Sequence, residues 1–326
     1  MNDSGPLLQV IDLHTQFFAS QGIARAVDGV TLQLEEGEVL GLVGESGCGK
    51  SVTCLSILGL VPSPPGRIVR GQVLFRGRDL LRMPERELRG IRGNEIAMIF
   101  QDPSASLNPA MTVGRQIAEV LVLHRKMTRS QAREEGVRML GVVGIADAQE
   151  RYDDFPHHFS GGMAQRVMIA MALACNPALL IADEPTSSLD VTLQSQVLEL
   201  LGALRRKSST AILLVSHDLG VVAGLADRVA VMYAGRVVEQ APTVDLFTNP
   251  LHPYTGGLLR AIPRLDGNAT LEPIRGMPPK PFAVPGGCPF RPRCGLAHEA
   301  CASAPPTLDE VAREHHVACW AVEGRQ

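Results

Sequence analysis

Eight residues, Gly44-Glu45-Ser46-Gly47-Cys48-Gly49-Lys50-Ser51, restrict this chain more than any other stretch. An apolar run precedes them at 39–43 (VLGLV), and a helix-forming run follows at 52–58 (VTCLSIL). The order is strand, glycine-rich loop, helix, with the G-x-x-x-x-G-K-S spacing of a phosphate-binding loop. Glycines at 44, 47 and 49 let the backbone curl, so that successive N–H groups point inward at phosphate oxygens. The start of the following helix adds partial positive charge at the same place. In such a loop Lys50 reaches the β- and γ-phosphates, and the Ser51 hydroxyl ligates Mg²⁺. A glycine turn that matches by chance would lack the two flanking elements. The stretch predicts binding of a nucleoside triphosphate.

The whole chain sets the bounds around that loop. Its 326 residues allow one large domain plus a smaller region, and 45% hydrophobic content suffices for a substantial core. A net charge of −3 argues against a dedicated nucleic-acid binder, which needs a basic surplus. The start, MNDSGPLLQV, lacks the basic and apolar regions of a signal peptide. The longest apolar run, 167–182, is broken by Asn176 and Pro177, so no membrane span is expected. Four of the 7 cysteines, Cys288, Cys294, Cys301 and Cys319, crowd the C-terminal stretch. With no export signal, disulfides are disfavoured and the clustering points to metal or cluster ligation.

Read in order, residues 7–13 and 26–34 predict strands, and Phe17-Phe18 lie between them. An aromatic there could stack on a base, although spacing alone favours a core phenylalanine. Residues 71–75 read as a short strand, and the arginine-rich 76–92 as a solvated helix and loop. The strand-like 95–100 delivers Gln101. From 103 to about 158 the periodicity is helical, best at 113–124 and 130–143, as in a helical insertion. Two unbroken apolar strands follow, 178–182 closed by Asp183-Glu184 and 211–215 closed by Ser216-His217. Such strands alternating with helices imply a parallel sheet covered on both faces, with ligands at the strands' carboxyl ends. Residues 229–233 and 236–239 predict a hairpin around Ala234-Gly235. Beyond 241, ten prolines between 250 and 292 predict an irregular region.

Five signals share one order: the phosphate loop, Gln101, Ser160-Gly161-Gly162-Met163-Ala164-Gln165, Asp183-Glu184 and His217. Over roughly residues 7–240 this order resembles the nucleotide-binding subunit of an ABC (ATP-binding cassette) transporter. The resemblance implies an α/β fold: a P-loop ATPase core with an N-terminal antiparallel β part and a helical insertion at about 103–165. It implies that Asp183 holds Mg²⁺ opposite Ser51, and that Glu184 orients or deprotonates the attacking water. Gln101 is expected to contact metal and water, and His217 the γ-phosphate. Ser160, Gly161 and Gly162 open a helix whose N-terminus is a second anion site, which in ABC proteins caps the ATP of an opposite subunit. Asp190, in the stretch Ser187-Ser188-Leu189-Asp190, belongs to the loop communicating across that interface. Phe17 becomes the adenine-stacking aromatic, with Phe18 its rival. Phe159, Met163 and Ser188 depart from the commonest signature residues without removing a catalytic group.

The C-terminal stretch narrows the resemblance. Asn249-Pro250-Leu251-His252-Pro253-Tyr254-Thr255, followed by 285–294 (PGGCPFRPRC), looks like the tail of dipeptide/oligopeptide importer ATPases, a group that also handles nickel. Its cysteines match as C-x5-C-x6-C-x17-C. The resemblance implies a [4Fe–4S] cluster on Cys288, Cys294, Cys301 and Cys319. Tetrahedral Zn²⁺ suits four thiolates equally, and His298, His315 and His316 are nearby substitutes. The implied domains are 1–245, the cassette, and 246–326, a small irregular Cys-rich appendage. The implied function is ATP hydrolysis driving import of di- or oligopeptides. Import of another solute such as nickel, or a soluble ABC ATPase not coupled to transport, are the alternatives. The implied partners are a second, different ATPase subunit, two membrane permease subunits and an extracytoplasmic solute-binding protein, with no nucleic acid. The implied location is peripheral, on the cytoplasmic face of the cell's inner membrane.

Overall fold

The computed structural model describes residues 5–187, 189–262 and 273–323, and its chain divides into two compact units. Ser188 lies outside the described residues. The first unit gathers residues 1–35, 39–81 and 215–326. Its first sheet is antiparallel, in the order Gly22–Leu34, Leu8–Ala19, Gly66–Phe75, Arg78–Asp79. Leu8, Val10, Leu13 and Thr15 alternate inward along the second of these strands. That strand runs six residues past the expected Leu13 and carries Phe17 and Phe18 within it. The alternation fails near Asp12, where φ is 47° and the register shifts, so a bulge conceals the continuation.

The same unit holds a second set of strands. Val39–Val43, wholly buried, pairs in parallel with Arg228–Tyr233, which turns back antiparallel into Arg236–Pro242. The connecting Ala234 and Gly235 have φ of 46° and 83°, the left-handed pair that a two-residue hairpin turn demands. The expected hairpin is therefore present. The expectation of a wholly irregular C-terminal region is not met. Asp309–Ala312 and His315–Val317 form a further antiparallel pair, and the second aligns with the hairpin through Glu239↔Val317 and Gln240↔His316. Prolines end at Pro306, so nothing in 307–319 prevents strand pairing.

Buried polar groups fasten this addition. The Glu239 carboxylate, fully buried, accepts from the backbone N–H of Leu251 (2.7 Å) and His252 (3.0 Å) and lies 2.8 Å from His315 Nε2. His315 is thus committed to Glu239 rather than to the cysteines. His252 caps the helix Pro253–Arg260, its Nδ1 accepting the Tyr254 N–H. Burial pushes the His252 pKa from 6.5 down to about 3. The folded state therefore refuses a proton that the unfolded chain accepts, and stability is lost as pH falls from 6.5 towards 3. Thermal melts across that window should show a midpoint that declines with acidification. His252→Asn, which keeps a capping oxygen, should flatten the decline. An equal slope in both proteins would remove His252 as its source.

The second unit gathers residues 36–38 and 82–214. Its strands run in the order Ala211–Ser216, Leu179–Asp183, Ile96–Ile99, the last two parallel from Ile96↔Leu179 to Ile99↔Ala182. Val215 and Ser216 carry the first of them back into the first unit. The helices Val113–Arg125 and Arg129–Val142 fall within the expected helical stretch, and Gly161–Leu173 is the helix expected to open at Ser160. Each starts where a hydroxyl can cap it: Thr112, Thr128 with its Gln131 partner, and Ser160. Such caps contribute about 1 kcal/mol each. Val113, Ile117, Leu121, Ala132, Met139, Leu140 and Val167 supply the buried faces. Tyr152 wedges between the first two helices at Gly114 and Gly136, where added Cβ atoms would lie 2.2 and 2.8 Å from its ring. Among the described residues no helix is long and apolar enough to cross a membrane.

Candidate functional site

The first unit carries the glycine-rich loop. Residues 44–49 leave the buried strand Val39–Val43 and deliver the chain to the helix Lys50–Ile57. Two glycines are obligatory here. Gly44 has φ of 152° and Gly49 of 110°, and a Cβ on either would lie 2.2 Å from a backbone oxygen, of Met232 and Ala26 respectively. No other residue type fits both the dihedral and the space. The hairpin turn holds the loop from below, the Gly235 N–H donating to the Cys48 carbonyl at 2.8 Å. Thr15 Oγ1 and Ser56 Oγ, 2.7 Å apart, fasten the helix to the first sheet.

Lys50 is 5% exposed. A buried ammonium costs several kcal/mol unless acceptors surround it. Here Nζ donates to the carbonyls of Gly44 (2.8 Å) and Glu45 (3.1 Å), which aims it back along the loop. Burial raises the Cys48 pKa, with Lys50 only partly opposing, so that thiol is neutral. Ser46 and Gly47 form the exposed crest of the loop, and Ser51 occupies the second helical position. Phe17 is half-buried against Gly66, whose added Cβ would meet its ring edge at 2.9 Å. Phe18 points the other way, 45% exposed, with the Arg67 guanidinium 6.0 Å from its ring centroid. His217 is exposed, one residue past its strand. The Asp218 N–H donates to Ser216 Oγ, and the Asp218 carboxylate caps the next helix at Gly220 and Val221.

The second unit carries the acidic turn. Because Ile96–Ile99 and Leu179–Asp183 are parallel, Gln101 and Glu184 emerge at one carboxyl edge. Gln101 Nε2 donates to Glu184 Oε2 at 3.0 Å. Asp183 is the last residue of its strand and is 4% exposed. Glu184 has φ of 48°, a left-handed conformation that costs a non-glycine residue about 1–3 kcal/mol and persists where surroundings impose it. Hydrogen bonds show what imposes it. Ser187 donates to the Glu184 carbonyl through both N–H and Oγ, and Gln165 Nε2 donates to the Pro185 carbonyl at 2.9 Å. Gln165 lies on the helix that Ser160 opens, so that helix is linked directly to the acidic turn.

Ser160 is exposed and accepts the Met163 N–H at 3.4 Å; no acidic residue in the first turn offsets the helix's positive end. Gly161 is exposed, and Gly162 is buried against Leu193, 2.6 Å from a notional Cβ. Asp190 caps the helix Val191–Ser208 by accepting the Leu193 N–H at 3.0 Å. Sequence reasoning missed this capping role, although an Asp directly before an apolar-periodic stretch signals it. It also missed the Gln165 bond.

Ser51, Asp183 and Gln101 present oxygen donors of the kind Mg²⁺ prefers. The C-terminal cysteines are all free thiols. Burial raises the pKa of Cys288, Cys294 and Cys319, and Cys301 adds to the rise in all three. Nevertheless, among the described residues no group of three or more His, Cys, Asp or Glu is arranged to hold a metal ion.

Residues 27–187 match the family model of the ABC transporter, and residues 238–301 that of the oligopeptide/dipeptide transporter C-terminal region. The dipeptide transport ATP-binding protein DppD of Bacillus subtilis is 50% identical, covering 98% of this chain and 96% of its own. The oligopeptide transport ATP-binding protein OppD of Salmonella typhimurium is 53% identical, covering 92% of this chain and 89% of its own. The ATP-binding cassette MJ0796, solved as a dimer in a post-hydrolysis state with ADP and Pi, superposes with a TM-score of 0.66 at 26% identity, covering 72% of this chain and 98% of its own.

Proposed function

The chain belongs to the ATP-binding subunits of the ABC transporter family, in their dipeptide and oligopeptide branch, and we propose that it hydrolyses ATP to drive peptide import. The observation that carries this reading is the combination on one chain of a complete phosphate loop, an acidic strand end and the peptide-transporter C-terminal region. Residues 1–245 act as the cassette and 246–326 as the C-terminal region. Lys50 and the loop amides bind the β- and γ-phosphates, while Phe17 stacks on the adenine. Ser51, Asp183 and Gln101 hold Mg²⁺, which supplies charge neutralisation on the phosphates. Glu184 accepts the proton of the attacking water, and His217 contacts the γ-phosphate. Ser160, Gly161, Gly162 and Asp190 serve the nucleotide of a facing cassette.

By the same reading the chain works peripherally on the cytoplasmic face of the membrane. It pairs with a second ATPase subunit and with two permease subunits, and an extracytoplasmic binding protein delivers the peptide. The test is reconstitution of the complex in vesicles with ATP inside and labelled peptides outside. Peptide accumulation that needs this subunit supports the reading; accumulation of Ni²⁺ alone moves the solute to nickel. ATPase activity that no permease or solute stimulates would leave an enzyme uncoupled from transport.

For the cofactor in the C-terminal region, the support is donor chemistry alone: four soft thiols spaced C-x5-C-x6-C-x17-C. We infer that Cys288, Cys294, Cys301 and Cys319 ligate a [4Fe–4S] cluster, with Zn²⁺ as the alternative occupant. Anaerobic purification followed by iron, sulfide and zinc analysis decides between them. About four iron and four sulfide per chain is the expected result for the cluster. One zinc replaces it with a structural metal, and neither metal removes the ligation.

A further inference from the structure

The phosphate loop is gripped from outside by residues of the C-terminal region. Glu45, its second residue, has every polar function engaged. Its N–H donates to Tyr254 Oη at 2.8 Å, and its carbonyl accepts from Lys50 Nζ at 3.1 Å. Its carboxylate takes both arms of Arg293, with Nη1–Oε2 at 2.6 Å and Nη2–Oε1 at 3.0 Å. This paired geometry is the strongest that an arginine and a carboxylate form.

Neither outside partner is free to move away. The Arg293 side chain is 4% exposed, its Nε donates to the Arg275 carbonyl, and Nη1 lies 3.4 Å from Tyr233 Oη. Tyr254 is fully buried, and burial holds its hydroxyl protonated. Tyr233, Tyr254 and Phe290 pack as one aromatic cluster, with centroids 4.6, 5.3 and 5.4 Å apart. Tyr254 belongs to the helix Pro253–Arg260 and Arg293 immediately precedes Cys294. Both therefore come from the stretches that mark the peptide-transporter C-terminal region.

From this geometry we infer that Arg293 and Tyr254 are positioning residues for ATP binding. They fix Glu45, and the Glu45 carbonyl together with that of Gly44 aims the Lys50 ammonium. The C-terminal region is thereby a structural part of the nucleotide site. This inference rests on the ATP-binding reading given above.

The test measures ATP affinity at equilibrium with a fluorescent ATP analogue, and kcat and KM for ATP, in the full chain within its transporter complex. Arg293→Ala should weaken ATP binding about tenfold to a hundredfold, the range of a charged hydrogen-bonded pair, while kcat at saturation changes little. Tyr254→Phe removes one hydroxyl and no packing, and should weaken binding about threefold to tenfold. Arg293→Lys should recover part of the loss. Hydrogen exchange at the loop amides should accelerate in Arg293→Ala ahead of the sheet amides. Unchanged ATP affinity and KM in both Arg293→Ala and Tyr254→Phe, with only a lower melting temperature, would overturn the inference and leave a purely structural contact. A parent chain that binds no ATP would instead overturn the ATPase reading, and the inference with it.

Discussion

Replacing Glu184 by Gln should leave ATP bound and stop its hydrolysis. The substitution keeps the side chain's size and its place on the left-handed residue after Asp183, and the new amide oxygen still accepts from Gln101 Nε2. What disappears is basicity. Phosphoryl transfer to water asks little of the protein beyond positioning and charge neutralisation, and removing the proposed proton acceptor should cost about 10²–10⁴ in rate. Steady-state ATPase assays should fall in that range, while equilibrium binding of ATP stays within about threefold of the parent. The variant should also accumulate with ATP as a closed pair of cassettes, visible by size-exclusion chromatography. Normal turnover in Glu184→Gln would place the base elsewhere.

Lys50→Ala acts on the phosphate loop and at the other step. The ammonium is buried, donating to the carbonyls of Gly44 and Glu45 and lying 3.7 Å from Cys48 Sγ. On the proposed reading, deleting it removes charge-assisted bonds to the β- and γ-phosphates, and ATP affinity should fall about a hundredfold. The fold should survive, because the glycine turns and the Gly235–Cys48 bond do not depend on Lys50. Isothermal titration with ATP checks the first point and a thermal melt the second. Unaltered ATP binding would be incompatible with a phosphate loop at 44–51.

Both predictions begin in features that a single sequence displays. The phosphate loop is legible because its chemistry is local: the glycines, Lys50 and Ser51 lie within eight residues and act through backbone shape. The strands at 39–43, 179–183 and 211–216 are legible because burial on both faces makes them unbroken apolar runs. Legibility fails where structure depends on distant partners. His315–Val317 contains two histidines, and nothing in it signals a strand until Glu239, far back in the chain, supplies a buried carboxylate. Arg293 and Glu45 are 248 residues apart, and neither forecasts the other. The strand Leu8–Ala19 is cut short in any reading by periodicity, because a bulge at Asp12 shifts its alternation. Asp190 reads as an interface residue by resemblance, and only the coordinates add that it caps a helix.

The parallel pairing of Val39–Val43 with Arg228–Tyr233 also bears on how the protein is made. A ribosome releases the phosphate-loop motif early and its supporting strand only after Leu40's partner, Arg228, has been added. Until then an apolar segment, VLGLV, waits without the neighbour that completes its hydrogen bonding, the kind of non-local closure that slows folding. A nascent chain interrupted before that point would display the motif without the sheet that holds it. Synthesis from the N-terminus thus withholds that pairing, and the sheet beneath the loop, until the chain has grown past Val231.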